Sequence, residues 1–348
     1  MTPTGTYRRG MDPVEALRRV AFLLERENAE SYRVQAYRKA AAALDAIGPA
    51  EAAARAAKGT LTELPGVGPK TASIAAEAVG GEVPAYLSEL EARPSPRDAL
   101  EGSARDLLDA IRGDCHTHSD WSDGGSPPRE MAEACVALGH EWAALTDHSP
   151  RLTVARGLTR ERLERQLEVV ATINADLAPF RLLTGIEVDI LDDGRLDQDD
   201  DLLARLDVVV ASVHSKLRAP SEAMTPRMVA AIANPHVDVL GHCTGRMVAG
   251  GKTRPESEFE VDLVIEACRR FDVALEVNSR PERLDPPRRI LRAAVEAGLL
   301  LAIDTDAHAP GQLDWQATGV ARAVECGADP ARVITTWPVD DLLAWTRA

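Results

Sequence analysis

The residues of this 348-residue chain whose spacing could do chemistry are its histidines and a few carboxylates. Six of the eight histidines fall at or just after the expected end of a strand. His116 and His118, in GDCHTHSDWSDG, are one residue apart, so an extended backbone points both imidazoles to one face, as gripping a metal ion requires. Asp123 follows on the loop, then Asp147-His148 in ALTDHS, Glu187 in TGIEVDI, His214 in VASVHS and His242 in VLGHCTGR. Asp306 and His308, in IDTDAH, repeat the one-residue gap. Any one such histidine is as readily a hydrogen-bonded core residue; the shared placement of six argues otherwise. His140 (ALGHEW) and His236 (ANPHVD) lie elsewhere and read as structural. Imidazole and carboxylate without cysteine suit Zn2+, Mn2+ or Fe2+ and do not choose among them. A structural zinc takes four ligands, commonly cysteines, whereas the nine candidates here point to a multinuclear catalytic centre.

The elements that must position these residues begin at residue 113. Short apolar or β-branched runs at Gly113–Thr117, Trp142–Asp147, Arg181–Ile190, Asp207–His214, Val237–His242, Val273–Asn278 and Leu299–Asp304 alternate with helical patterns. The helices are expected at Pro128–Leu138, Thr159–Asp176, Pro226–Ala233, Val261–Phe271 and Pro287–Ala297. Seven successive βα units predict an α/β fold, a parallel sheet closed or nearly closed into a barrel over 113–348, with the strand ends converging on one rim. Residues 10–92 predict a separate all-helical domain. It opens with a capped helix after Asp12-Pro13, in which Val14, Leu17, Phe22 and Leu24 are apolar positions. An alanine-rich helix over Arg33–Ile47, a short one near 50–58, a glycine hairpin opening a helix in LTELPGVGPKTASIAAEAVGG and a remnant near 85–92 follow. The Pro-rich ARPSPRD and a helix over Arg97–Arg112 make the connection, residues 93–112.

Composition fits two globular domains: 45% apolar and 27% charged residues. No apolar stretch approaches the roughly 18 residues of a membrane span, and MTPTGTYRRGMDP shows no apolar segment of a secretory signal. Five scattered cysteines, an odd count without a CxxC pair, suit a reducing cytoplasm, so the expectation is a soluble cytoplasmic protein. Residues 1–94 hold 12 basic and 12 acidic residues, so the whole net charge of −15 lies in 95–348. That field repels polyanions at long range and disfavours loose nucleic-acid binding. Three divalent ions would reduce it to −9.

HTHSDWSDG, TDHS, GIEVDI, SVHS, GHCTGR and DTDAH, in that order across about 113–310, resemble the motifs of the PHP (polymerase and histidinol phosphatase) superfamily. The resemblance implies a distorted (β/α)7 barrel, phosphoester hydrolysis and two to three divalent ions. His116, His118, Glu187 and Asp306 would hold one ion, Asp123, His148 and His308 a second, and Glu187 with His214 and His242 a third. Asp123, where some members have histidine, is closer to the PHP modules of bacterial family X DNA polymerases and favours Mn2+ over Zn2+. TPRMVAAIANPHVDVLGHCTGR, ALEVNSRPERLD and LTVARGLTRERL also resemble those modules, which makes Arg156, Lys216, Arg246 and Arg283 candidate phosphate or substrate-backbone contacts, although any one of them alone is more readily a solvated surface charge. Asp147 alternates away from His148 and reads as an orienting residue; with Glu187, Arg246 and Lys216 it completes the expected catalytic set.

LPGVGPK resembles a helix-hairpin-helix element, in which the turn of Gly66 and Gly68 presents backbone N–H groups to a DNA phosphate and Lys70 adds a charge. With ENAESYRVQAYRKAAAAL it is similar to the eight-kilodalton domain that opens family X polymerases. Two departures follow. The position of that family's lyase lysine holds Ile74, which cannot form a Schiff base. The roughly 20 residues joining the two domains are too few for a polymerase palm, so polymerase activity is not expected. The resemblance leaves a DNA-end exonuclease or phosphoesterase of DNA repair as the first expectation, with DNA ends as partner. A small-molecule phosphatase of the histidinol phosphate kind is the second, and a non-enzymatic DNA scaffold the third.

Overall fold

The computed structural model describes residues 11–251 and 253–347, so the reading of a missing secretory signal, which rests partly on residues 1–10, lies outside them. The chain divides into two compact units at Ser95/Pro96.

In the first unit, helix α1 (Pro13–Arg26) starts where the Asp12 carboxylate accepts from the N–H groups of Val14 (2.8 Å) and Glu15 (3.0 Å), with Pro13 at the first helical position. Helix α2 (Ser31–Lys58) runs through both helices expected at 33–47 and 50–58. The break between them survives as a kink at Gly48, whose φ of 77° suits glycine, followed by Pro49. Helices α3 (Pro69–Val79) and α4 (Ala85–Glu91) complete the unit. Leu17, Val20, Leu24, Tyr37, Leu44, Ile74 and Leu87 meet in one core. At its edge Arg38 donates to both oxygens of Glu25, at 3.0 and 2.8 Å.

The second unit opens with helix α5 (Gly102–Ala110) in place of the longer helix expected over 97–112. The left-handed φ of Gly102 (53°) separates it from a single 3-10 turn at Pro96–Ala99. There follow α6 (Pro128–Ala137), β1 (Trp142–Leu145), α7 (Arg160–Leu177), β2 (Arg181–Asp189), α8 (Asp200–Leu203), β3 (Val208–Ser212) and α9 (Ser221–Ile232). Then come β4 (Val239–Leu240), α10 (Val261–Phe271), β5 (Ala274–Asn278), α11 (Arg288–Glu296), β6 (Leu301–Asp304), α12 (Gln316–Glu325) and α13 (Val339–Thr346). The six strands lie in sequence order, every neighbouring pair parallel, curled into a half-barrel.

The seventh expected strand, Gly113–Thr117, is an extended segment that bridges the two edges. Thr117 bridges Leu145 on one side and Ala307 on the other. On one side backbone pairing continues, the Asp114 carbonyl accepting the Ala144 N–H (2.8 Å); on the other, carboxylates take the place of ladder carbonyls, Asp304 accepting the Cys115 N–H (2.7 Å) and Asp114 the Thr305 N–H (3.2 Å). Side-chain stitching of this kind is why the segment does not form a regular strand. Gly113 is required here, because a Cβ would lie 2.2 Å from the Trp142 ring.

Strand alternation then sets the site. Ala144, Leu183, Val210, Val239, Ala274 and Ala302 pack with Cys115, Trp142 and, from α13, Leu342 and Leu343. The opposite phase, including Ile186, Val209, Leu275 and Ile303, packs with the helices. Continuing the inner phase in steps of two reaches His148, Glu187, His214, Glu276 and Asp306, so an apolar floor leads up to a polar rim. Among the described residues no helix is long and apolar enough to cross a membrane, and all five cysteines are free and buried.

Candidate metal centre

Glu187, at the inner phase of β2, is the hub. Its Oε2 lies 2.8 Å from His148 Nδ1, 3.3 Å from His116 Nε2 and 3.5 Å from His118 Nε2. Its Oε1 lies 2.8 Å from His242 Nε2 and 3.1 Å from His214 Nε2. Asp306 Oδ1 stands 3.4 Å from His118 Nε2 and 3.9 Å from His116 Nε2. Asp123 Oδ1 is 3.5 Å from His148 Nε2 and 3.4 Å from His308 Nε2. The structure therefore brings all nine expected residues to one rim. Three overlapping groups have ligand atoms within 4.8 Å of one another: His118, Asp123, His148 and His308; His116, His118 and Glu187; His148, Glu187 and His214.

Burial opposes the charge on Glu187, but His214, His148 and His116 hold its carboxyl well below the usual range. His118 is pushed down to about 3 by burial and by His308 and His148. Burial works against His214, yet Glu187 and Asp189 raise it to about 9. In this crowd His116 Nε2, both ring nitrogens of His118 and of His214, His242 Nδ1 and Glu187 Oε2 are buried without a hydrogen-bond partner. Buried polar atoms left unpaired cost about 1–3 kcal/mol each. A concentration of them facing one another, all imidazole or carboxylate, fits divalent cations.

The other expected residues divide. Asp147 joins none of these groups: it accepts from the Ser119 N–H (2.8 Å) and hydroxyl (2.6 Å), the Ser122 hydroxyl and Gln166 Nε2 (2.6 Å). It holds the loop that carries Asp123. The Arg246 guanidinium is committed to the carbonyls of Arg283 (3.0 Å) and Leu284 and to Glu256 (3.3 Å). Lys216 is paired with Asp192 at 2.6 Å on the surface. Arg156 donates to the carbonyls of Asp120 (3.0 Å) and Ser122, supporting the Asp123 loop. Of the four cations only Arg283 reaches the cluster, with Nε 3.2 Å from Asp306 Oδ2.

Sequence reasoning missed Glu276, Asn278 and Arg280. Arg280 places Nη1 3.4 Å from the Asp306 carbonyl and 3.8 Å from Asp306 Oδ2. Glu276 Oε1 lies 2.7 Å from His116 Nδ1. The available signal was an acidic residue inside an apolar strand (ALEVN), in phase with the polar residue two positions on.

In the helical unit Gly66 adopts φ 86°, as a tight turn demands. The Gly68 N–H, expected to face a phosphate, instead donates to Thr71 Oγ1 at 3.0 Å. A groove of about 920 Å³ opens beside this turn, lined by Tyr32, Arg33, Tyr37, Lys70, Ile74 and Tyr86 among others. Tyr32 is 74% exposed, whereas Ile74 is buried.

Comparison with known proteins agrees with both units. Residues 11–81 match the helix-hairpin-helix domain family and residues 114–280 match the PHP domain family. The chain is 43% identical over 240 residues to the DNA polymerase/3′-5′ exonuclease PolX of Bacillus subtilis (strain 168), a match taking in 69% of this chain and 42% of that relative's length. It is 29% identical over 210 residues to a probable phosphatase of Thermoanaerobacter sp. (strain X514), covering 56% and 78% of the two chains. A histidinol phosphate phosphatase structure from Lactococcus lactis matches with a TM-score of 0.48 and 18% identity over 63% of this chain and 95% of its own. The chain thus carries a PHP-domain phosphoesterase module behind an N-terminal helix-hairpin-helix domain.

Proposed function

We propose that the protein hydrolyses phosphate esters at DNA ends, as a 3′-to-5′ exonuclease or 3′-end phosphoesterase. The observation that carries this reading is the gathering of nine imidazoles and carboxylates on one rim, in a chain that also holds a helix-hairpin-helix domain. His116, His118, Glu187 and Asp306 would hold one divalent ion, Asp123, His148 and His308 a second, and Glu187, His214 and His242 a third. When bound, such ions supply Lewis-acid charge that neutralises phosphate oxygens and makes hydroxide accessible near neutral pH.

The chain's own residues do the rest. Arg283 and Arg280 add positive charge beside Asp306, where a substrate phosphate needs neutralising. Asp147 and Arg156 fix the loop that presents Asp123. In the helical domain the first turn of α3 and Lys70 hold a DNA phosphate without base readout, and exposed Tyr32 offers a face on which a base can stack. Apolar Ile74 in the groove provides no amine for a Schiff base, so lyase chemistry through that position is not part of the proposal. The identity with PolX supports DNA as substrate, and five free, buried cysteines support a reducing cytoplasm.

A second reading, a small-molecule phosphatase, is favoured by the charge of −15 confined to residues 95–348 and by the probable-phosphatase relative. The two separate in one experiment. The protein is given Mn2+ with a 5′-labelled oligonucleotide and with histidinol phosphate in parallel, beside a His116→Ala control. Shortening of the DNA that the control lacks supports the first reading. Phosphate released only from the small ester overturns it in favour of the second.

A further inference from the structure

Strand β5 is the one strand of the half-barrel whose end supplies none of the nine clustered residues. Its inner phase instead carries Glu276 and Asn278, both fully buried. The Glu276 carboxylate is engaged at both oxygens. Oε1 lies 2.7 Å from His116 Nδ1; Oε2 accepts the backbone N–H of His242 and, at 3.2 Å, Asn278 Nδ2. Asn278 Nδ2 also reaches Asp306 Oδ2 at 3.3 Å. One short polar pair thus ties together residues delivered by three other parts of the barrel.

We propose that Glu276 is the positioning residue that sets the tautomer of His116. Its carboxylate holds the proton on Nδ1 and so leaves the Nε2 lone pair directed at the space shared with Glu187 and Asp306. The inference rests on the reading of that space as a metal centre. A ligand imidazole presents one nitrogen to the ion and donates the other N–H to a second group, which fixes its orientation and raises its basicity. His116 Nε2, 3.3 Å from Glu187 Oε2 and 3.9 Å from Asp306 Oδ1, has no hydrogen-bond partner, while Nδ1 has Glu276.

The donor pattern explains why a carboxylate stands here. An ionised carboxylate only accepts, and both of its oxygens are needed. In Glu276→Gln one oxygen becomes an NH2 group. The His242 backbone N–H cannot become an acceptor, so the amide oxygen must stay with it and with Asn278. The NH2 then faces His116 Nδ1, which can pair with it only as an acceptor. The proton moves to Nε2, and the lone pair is withdrawn from the centre.

The test uses the full chain with Mn2+ or Zn2+ alone as probe. Glu276→Gln, His116→Ala and the double variant are compared with wild type by competition against a chelator, and the tautomer of His116 is read from 15N–1H spectra of the metal-free proteins in alkaline buffer. The expected result is a metal affinity about 10- to 100-fold weaker for Glu276→Gln, an Nε2-protonated His116 in that variant, and no further loss when the change is added to His116→Ala. A folded Glu276→Gln protein with unaltered affinity or tautomer overturns the proposal, as does an equal loss on the His116→Ala background. A neutral His116 that carries its single proton on Nε2 in the wild type overturns it without any variant. Wild-type protein that binds no metal sinks the metal-centre reading instead, while the tautomer still reports on Glu276.

Discussion

Asp147 offers the sharpest separation between a ligand and a residue that orients ligands. Its Oδ1 accepts the N–H groups of Ser119 (2.8 Å) and Ser122 (3.3 Å) and the Ser122 hydroxyl; its Oδ2 accepts the Ser119 hydroxyl (2.6 Å) and Gln166 Nε2 (2.6 Å). In Asp147→Ala the hydroxyls can turn elsewhere, but the two backbone N–H groups cannot. At about 1–3 kcal/mol for each buried unsatisfied group, the loss is roughly 2–6 kcal/mol. For a unit of this size, about 2–4 °C per kcal/mol, the melting temperature of the metal-free protein falls by roughly 5–20 °C. Asp147→Asn behaves differently. Its remaining oxygen keeps both backbone N–H groups, its NH2 donates to the Ser119 hydroxyl, and Gln166 can turn its amide to accept. The expected loss is about 1 kcal/mol, with metal content and hydrolysis near wild type. Thermal unfolding and metal analysis of both variants decide the matter. Metal loss in Asp147→Asn as large as in Asp147→Ala would make the charge itself a ligand and refute the reasoning; a wild-type melting temperature in Asp147→Ala would show that the loop does not hang from this residue.

Three further outcomes are expected. Arg38→Met removes the guanidinium that pairs with both oxygens of Glu25, whose side chain is 3% exposed, so the helical unit should lose stability in urea unfolding, part of it regained in the Arg38→Met/Glu25→Leu double variant. His140 is pushed down to about 4 by burial and by the charge of Arg97. Its unfolded form, with the ordinary value near 6.5, binds the proton first on acidification. The contribution is therefore complete above about pH 6.5 and is lost as the pH falls toward 4, a total of about 3 kcal/mol that should vanish from the pH profile of His140→Asn. Gly66→Ala forces alanine into φ 86° and should cost roughly 1 kcal/mol of stability, while Gly68, with open space around its Cα, should tolerate alanine. Weaker DNA binding by a stable Gly68→Ala protein would locate the phosphate at that turn, and unchanged binding by both variants would reduce the hairpin to a helix corner.

The clustering of the nine residues was legible because neighbouring parallel strands deliver their ends to one rim. Glu187, His214 and Asp306 stand where alternation reaches the rim, whereas His116 and His118 share a face through their one-residue gap although the segment that carries them is no regular strand. The cations were not legible by the same logic. Lys216 and Arg246 lie within four residues of a clustered histidine, yet long side chains are aimed by their partners, and Asp192 and the carbonyls of Arg283 and Leu284 claim these two. Nearness in sequence says little about the direction of a guanidinium that follows a turn. The strand expected at 113–117 failed for a related reason: Asp304 and Asp114 supply bonds that pattern reading assigns to backbone. Glu276 carried one signal, an acidic residue inside an apolar strand, but its partners His116 and the His242 N–H come from distant parts of the chain and are not legible from spacing.

Charge state down the barrel axis adds a last step. Below the rim, burial raises Asp114 to about 6 and pushes Asp304 well above the usual carboxyl range, with Asp114 adding to the latter effect. At the rim the same burial is overcome. Arg283, His118 and His116 hold Asp306 ionised, and His214, His148 and His116 do so for Glu187. The floor can shed negative charge by keeping protons, whereas the rim keeps its carboxylates charged for cations. A formal charge of −15 therefore overstates the repulsion that a phosphate meets at the rim. Up to three divalent ions at that level, with Arg283 and Arg280 beside Asp306, make the local field one that an anionic substrate can enter. The acidity of the barrel and a phosphate ester as its substrate are on this account compatible, because the acidic groups nearest the reaction are those the cations occupy.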